Sequence, residues 1–341
     1  MKHINYISCL RRLSGMLLLP LLLGGCLTEN PEMTEDGELG VDPTSVQLNI
    51  ALHADRGIQE GMSPQTSPDK KDGYVHRFIV EAYLNRRAVV RKVLIQEMTD
   101  DAVLHQSVIL RLHARRYQIA VWSDYVKADA TTRDLYYDTS DLVPVVPIET
   151  AHVANTPYKE TFTASVEADL STYENQLNAQ VPLDINLVRP AARYELVAND
   201  VSSFLRRVAS GKVSGERFTV RVKYADPIAE GFNVLDGIPK YTLGNMQYAE
   251  TFLKPAEGTQ KLTIGFDYVF LSIADEQAYI PLMVEVMDDK NTLIASSYVR
   301  IPCRCGRNTL VQGAFLTTTP GDGIGFDPEY DGRVDMDVTI E

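Results

Sequence analysis

Apolar residues recur at every second position through most of the chain. Val46, Leu48, Ile50 and Leu52 alternate with polar or small residues, as do Phe78, Val80, Ala82 and Leu84, and then Tyr117, Ile119 and Val121. The pattern returns at Phe218, Val220, Val222 and Tyr224, and again at Leu262, Ile264, Phe266, Tyr268 and Phe270. A period of two puts alternate side chains on one side of an extended chain, so each run predicts a strand with one buried face. Clusters of Gly, Pro, Asn and Asp separate the runs, which is the pattern of a β-sandwich. One stretch has a helical period instead. Asp200 is its expected cap, Val201–Ser210 its body and Gly211 its stop, with Leu205 and Val208 toward a sheet and Arg206 and Arg207 toward water.

Residues 55–73 and 123–158 lack periodicity and predict two long loops. Pro182 and Pro190 flank a strand-like segment, which sets the expected domains at 44–182 and 183–341. No short-period repeat occurs, which excludes a solenoid.

The N-terminus is built differently. Lys2, Arg11 and Arg12 precede an apolar run, Leu13–Leu23, with no acid among the first 25 residues. The run is shorter than the roughly 20 apolar residues a membrane-spanning helix needs. A basic start, an apolar middle and small residues at the end describe a secretory signal. Its end, Leu23-Gly24-Gly25-Cys26, resembles the bacterial lipobox. That resemblance implies removal of residues 1–25 and lipidation of the Cys26 thiol. Acyl chains anchor a protein by about 0.8 kcal/mol per buried methylene. Leu27 is not Asp, so the inner-membrane retention signal is absent, and Glu29 and Glu32 are compatible with surface export. Residues 26–43 are rich in acids and poor in apolar groups, which predicts a solvated tether.

Composition narrows the classes further. With 45% apolar and 23% charged residues, the 341-residue chain is core-forming rather than disordered. Its net charge is −13, and loss of three cations with the signal takes it to −16. A nucleic-acid binder needs a basic face, so that class is excluded. Four cysteines are too few for a disulfide scaffold. Cys9 leaves with the signal and Cys26 carries lipid, so Cys303 and Cys305 remain. In a strand their thiols share one face roughly 7 Å apart. A bridge needs a bulge, which Gly306 permits, and two separate thiols are the open alternative.

Candidate chemistry is sparse. The six histidines form no His-Glu-x-x-His pair, and no Gly-x-Ser-x-Gly elbow occurs. Gly321–Gly325 lacks the helix and Lys-Ser/Thr that phosphate binding requires. Asp327, Asp331, Asp335 and Asp337 lack EF-hand spacing and predict a solvated hairpin. His76 and His113 are expected on solvent faces of strands. For a sugar platform, Tyr136 and Tyr137 are the best exposed candidates, since the single Trp, Trp122, lies in a strand. No enzyme, cofactor or metal is expected from these residues.

Four segments carry a family resemblance. They are Leu112–Asp124 with Tyr117 and Trp122, Val188–Leu196 with Arg189, Pro190 and Arg193, Phe232–Gly237, and Ile301–Thr317 with Arg307, Asn308 and Gly313. In this order after a lipobox they resemble the Bacteroidales fimbrillin-type lipoproteins. The resemblance implies two tandem transthyretin-like, Ig-like Greek-key β-sandwich domains with one short helix in the second. It also implies a structural subunit, tip or anchor of type V fimbriae at the outer membrane or cell surface, contributing to adhesion. Its partners would be other fimbrial subunits, joined by donor-strand exchange, and the outer membrane, reached through the N-terminal lipid. Shaft pilins of that family are cleaved after an Arg. Arg56, before Gly57, holds that position here, with an ordinary surface Arg as the alternative. The alternating Val334–Ile340 strand either completes its own sheet, as suits an anchor, or is donated, as suits a shaft subunit. Cys303, Cys305 and Gly306, and Ala114–Arg116 before Tyr117, depart from the family pattern and leave the subfamily open. A glycan-binding surface lipoprotein of a nutrient-uptake system is the rival reading.

Overall fold

The computed structural model describes residues 32–33, 39–40, 45–56, 68–69, 72–148, 151–176, 178–275 and 277–319. The lipobox residues Leu23, Gly24, Gly25 and Cys26 lie outside them, as do Gly321–Gly325, the C-terminal aspartates and Val334–Ile340. Of the tether, only β1 (Glu32–Met33) and β2 (Leu39–Gly40) are described, paired with each other.

Alternation becomes strand where it was expected. The first body contains β3 (Ser45–Asp55), β4 (Tyr74–Leu84), β5 (Arg87–Gln96), β6 (Val103–His113) and β7 (Arg116–Lys127). A short pair, β8 (Tyr137–Asp138) and β9 (Val146–Pro147), is followed by β10 (Phe162–Asp169) and β11 (Gln180–Leu187). The second body opens with β12 (Ala191–Ala198) and helix α1 (Val201–Ala209). It continues through β13 (Arg217–Tyr224), β14 (Ile228–Asn233), β15 (Ile238–Leu243), β16 (Gln247–Leu253), β17 (Leu262–Phe270), β18 (Ala278–Met287), β19 (Leu293–Cys303) and β20 (Asn308–Gly313). The expected boundary between residues 182 and 183 falls inside β11, which pairs with β3 along its whole length.

Both bodies have one topology. In the first, sheets run β5-β4-β7-β10 and β6-β3-β11; in the second, β16-β13-β18-β19 and β17-β12-β20. With the short pair β8–β9 and the hairpin β14–β15 set aside as insertions, the strand order is the same. Each body's first strand is the centre of a three-stranded sheet, antiparallel to the fourth strand and parallel to the last. The molecule is therefore a tandem of two β-sandwiches, each with its own apolar core between the sheets.

β3 alternates as the sequence requires. Val46, Leu48, Ile50, Leu52 and Ala54 are buried, and the residues between them are half-exposed. β4 and β12 are instead buried on both faces. Residues 134–145 lie against the outer face of β4, where Arg77 pairs with Asp134 and Ile79 packs with Tyr137, Leu142 and Val145. Arg91, which pairs with buried Glu81, donates to the Thr139 carbonyl at 2.7 Å. This covering corrects the expectation for His76, which is 1% exposed and packs against Tyr125 with ring centroids 4.3 Å apart. Burial, with a smaller push from Arg56, lowers its pKa to about 3. His113 is half-buried rather than on an open face. The 123–158 loop is shorter than expected, because β7 runs through Lys127.

α1 stops one residue earlier than expected. Gly211, at φ +72°, donates its N–H to the Val208 carbonyl, a turn that suits a residue without Cβ. Val201 and Phe204 form its buried face, and Leu205 and Val208 pack at the margin. Asp200 precedes the helix without capping it through its side chain. Its carboxylate accepts instead from the Leu316 N–H at 3.1 Å and the Thr317 hydroxyl at 2.7 Å.

Candidate functional site

Three of the four resemblance segments meet at the seam between the sandwiches, through Trp122, Ala191 and Phe232, while Ile301–Thr317 packs in the core of the second sandwich. Trp122 of β7, Phe232 and Val234 at the end of β14, Leu235, and Phe266, Tyr268 and Phe270 of β17 bury one another there. Tyr137 joins them, its ring edge-on to Trp122, and donates its hydroxyl to the Lys159 carbonyl at 3.1 Å. The expectation of an exposed Tyr137 is thereby corrected: the long excursion folds inward because its apolar residues fill the seam. Tyr136 is half-buried, with its hydroxyl 3.1 Å from that of Thr156.

Backbone bonds reinforce this packing. Val145 and Phe232 exchange both N–H···O bonds, at 2.8 and 2.9 Å, and Val234 N–H donates to Leu142 O at 3.0 Å. Gly231 is required at this crossing, since a Cβ there would stand 2.6 Å from the Val145 oxygen. Asn155 covers the outer edge of β17. Its N–H donates to Phe266 O at 3.0 Å, and its side-chain oxygen accepts from Phe266 N–H at 2.8 Å.

A charge cluster is sealed at the same seam. His152, from the first sandwich's excursion, puts Nε2 2.5 Å from Asp267 and Nδ1 2.8 Å from Glu230, the latter at ion-pair distance without hydrogen-bond alignment. Lys159 donates to the other Asp267 oxygen at 3.2 Å and to the Val153 carbonyl at 2.7 Å. The Tyr224 hydroxyl donates to Asp267 at 2.5 Å and meets the Tyr194 hydroxyl at 2.8 Å. Burial opposes charge on His152, but Asp267 and Glu230 outweigh it and raise the imidazole to about 9. Burial likewise opposes charge on Asp267, and Lys159 and His152 overcome it to hold the carboxyl at about 2. A second buried cluster lies close by in the first sandwich. Arg77 pairs in a two-pronged contact with Asp124 at 2.9 and 2.7 Å and reaches Asp134 at 2.7 Å.

The linker arginine clasps the end of the first strand. Arg189 donates to Glu160 at 2.7 Å, to the Asp55 carbonyl at 3.0 Å and to the Arg56 carbonyl, with its guanidinium over the Phe162 ring. Arg56, the candidate cleavage residue, is held from the other side too. Its N–H donates to Ala102 O and its guanidinium to Thr99 O, both at 2.8 Å. Four residues along, Arg193 turns into the second sandwich and contacts Glu195 and Asn308.

Cys303 and Cys305 are free thiols. Cys303 ends β19 inside the second core, and burial lifts its pKa to about 12. Cys305 sits in the following turn against the carbonyls of Pro190, Leu271 and Ser272, and burial, then Asp275, lifts it to about 11. Neither is a reactive thiolate. Among the described residues, no group of three or more His, Cys, Asp or Glu is placed to hold a metal ion. No helix among them is long and apolar enough to cross a membrane.

A family model described as a family of unknown function, DUF6562, matches residues 40–341. The chain belongs to this family. No curated protein matches the DUF6562 chain. Among solved structures it is similar to the fimbrial anchor protein Mfa2 of Porphyromonas gingivalis, at 11% identity and TM-score 0.46, over 79% of this chain and 90% of that one. It is also similar to a Bacteroides ovatus protein provisionally assigned as an adhesin, at 12% identity and TM-score 0.42, over 82% and 90%. A Bacteroides thetaiotaomicron protein provisionally assigned to polysaccharide binding matches at 8% identity and TM-score 0.42, over 80% and 92%. These likenesses are distant, and the tandem arrangement of the DUF6562 chain rests on its own strand pairing.

The residues that build the seam and the clasp were only partly visible in the sequence. Trp122, Arg189, Arg193, Phe232 and Asn308 stand in the resemblance segments. His152, Lys159, Glu160, Glu230 and Asp267 carry no local signal, because their partners lie 29 to 115 residues away. Only the density of aromatic and charged residues in the 123–158 stretch hinted that it is more than a connector.

Proposed function

We propose that the protein is a lipid-anchored structural subunit of a surface fimbrial assembly, of the anchor kind, which keeps its own first strand. Lipid on Cys26 holds it to the outer membrane through the acidic tether, and its body faces other fimbrial subunits. The observation that carries this reading is the place of β3. It is the central strand of its sheet, parallel to β11, and its five apolar side chains plug the first core. A strand in that position is one whose place a neighbour's alternating strand can take, with main-chain bonds giving affinity and alternating pockets giving register.

The clasp favours retention. A protease needs an accessible, extended segment, whereas the Arg56 carbonyl is engaged by Arg189 and the residues before it are paired on both sides. The welded seam suits a part that carries load along its length. The test is fractionation: the protein is expected in outer membranes and in sheared filaments, and absence from both contradicts the reading. Tyr137 is buried and Tyr136 half-buried, so neither is the exposed ring that the glycan-binding alternative would use at that loop.

A further inference from the structure

A cross-strand histidine pair stands on the outer face of the first three-stranded sheet, apart from the seam and the clasp. His53 of β3 and His105 of β6 are direct partners in the antiparallel ladder. Their Nδ1 atoms are 2.9 Å apart, and the rings meet at 80° with centroids 5.0 Å apart. On the far side of His53, Asp184 of β11 lies 3.8 Å from Nε2. Both imidazoles reach solvent.

We propose that His53 and His105 form a surface site for a divalent transition-metal ion of the imidazole-seeking class, which bridges β3 to β6 through the two Nδ1 atoms. Imidazole nitrogens bind such ions at about 2.0–2.1 Å. Two of them in adjacent positions at about 90° stand about 2.9 Å apart, which is the spacing found, whereas a tetrahedral angle needs roughly 0.4 Å more. The spacing is compatible with adjacent positions of tetragonal Cu²⁺ or Ni²⁺, and the affinity order of divalent metals places Cu²⁺ above Zn²⁺ at imidazole sites. In the metal-free pair one Nδ1 carries the hydrogen that the other accepts. On binding, that ring shifts to its Nε2–H tautomer, so no net proton is lost from the neutral pair. For His53 the Nε2–H then faces Asp184, the carboxylate partner that metal-bound imidazoles commonly have. Two protein nitrogens make a site of modest affinity, with water filling the remaining positions. Such a clip lies two residues before Asp55 and ties the first strand to its neighbour. The site does not depend on the fimbrial reading.

The test is titration of the full chain with Cu²⁺, followed by calorimetry and electron paramagnetic resonance, with Ni²⁺ and Zn²⁺ compared by thermal melting. The expected result is one site with two nitrogen ligands, a rise in melting temperature, and weaker binding of Zn²⁺. His53→Asn and His105→Asn each weaken Cu²⁺ binding at least tenfold and remove one nitrogen from the spectrum. Asp184→Asn weakens it by a smaller factor than either histidine variant, since the carboxylate is 3.8 Å from Nε2 and exposed. Circular dichroism establishes that each variant is folded. Wild-type affinity in either histidine variant overturns the proposal, and so does loss of binding in Cys305→Ser.

Discussion

Arg193 and Asn308 stand opposite each other on β12 and β20, 115 residues apart in sequence, and the guanidinium Nη1 donates to the asparagine side-chain oxygen at 2.6 Å. Arg193 is 1% exposed, pairs with buried Glu195 and lies over the Phe266 ring. The contact fixes the register between the first and last strands of the second sandwich. A parallel pair between these strands has no tight turn to set it. Arg193→Ala removes the guanidinium that pairs with buried Glu195 and is expected to destabilise by about 3–5 kcal/mol. Asn308→Ala is expected to cost about 1–2 kcal/mol. Urea unfolding of both single variants and the double variant checks this, and the two losses should be less than additive.

Arg189 is expected to guard Arg56. In Arg189→Ala the Asp55 and Arg56 carbonyls lose their donor, and the end of β3 frays. Trypsin-like digestion with mass spectrometry should show cleavage after Arg56 at least tenfold faster in the variant than in the wild type. Equal rates would remove the clasp from the explanation.

The seam should make the two sandwiches unfold as one. Trp122→Ala and Phe232→Ala each leave a large cavity between the bodies, at about 3–5 kcal/mol apiece. Calorimetry is expected to show one transition for the wild type and two for either variant. Gly231→Ala should act the same way, by pushing a methyl group into the Val145 carbonyl.

The charge cluster predicts a pH window for stability. His152 titrates near 9 in the folded state, above its ordinary 6.5, so its contribution is complete below 6.5 and is lost as pH rises through 9. Asp267 titrates near 2, below its ordinary 3.8, so its contribution is complete above 3.8 and is lost as pH falls through 2. Stability from this cluster should be flat between about 4 and 6.5 and decline by on the order of 2 kcal/mol toward pH 9. Urea midpoints measured across pH test it, and His152→Asn should flatten the alkaline limb.

The sequence was legible wherever one strand face meets solvent. β3 and β13 alternate in burial residue by residue, because one side packs in a core and the other faces outward. β4 and β12 hid their second buried face, since what covers them comes from residues far along the chain. His76 was misplaced for that reason: alternation reports that faces differ, not what lies on each. Asp200 shows the same limit at a helix end, where a residue with capping chemistry binds the Leu316–Thr317 segment instead. The segments resembling fimbrillins marked the seam through Trp122 and Phe232 and the clasp through Arg189. The ion pairs that weld it join partners too distant for any local pattern to link.

The central claim is tested most directly by mass spectrometry of the mature protein recovered from outer membranes and sheared filaments. Lipidated Cys26 at the N-terminus, with residues 45–56 still joined to the body and peptides of fimbrial subunits cross-linked to it, is the result expected. An unlipidated protein, or one that co-purifies with no filament component, would contradict it.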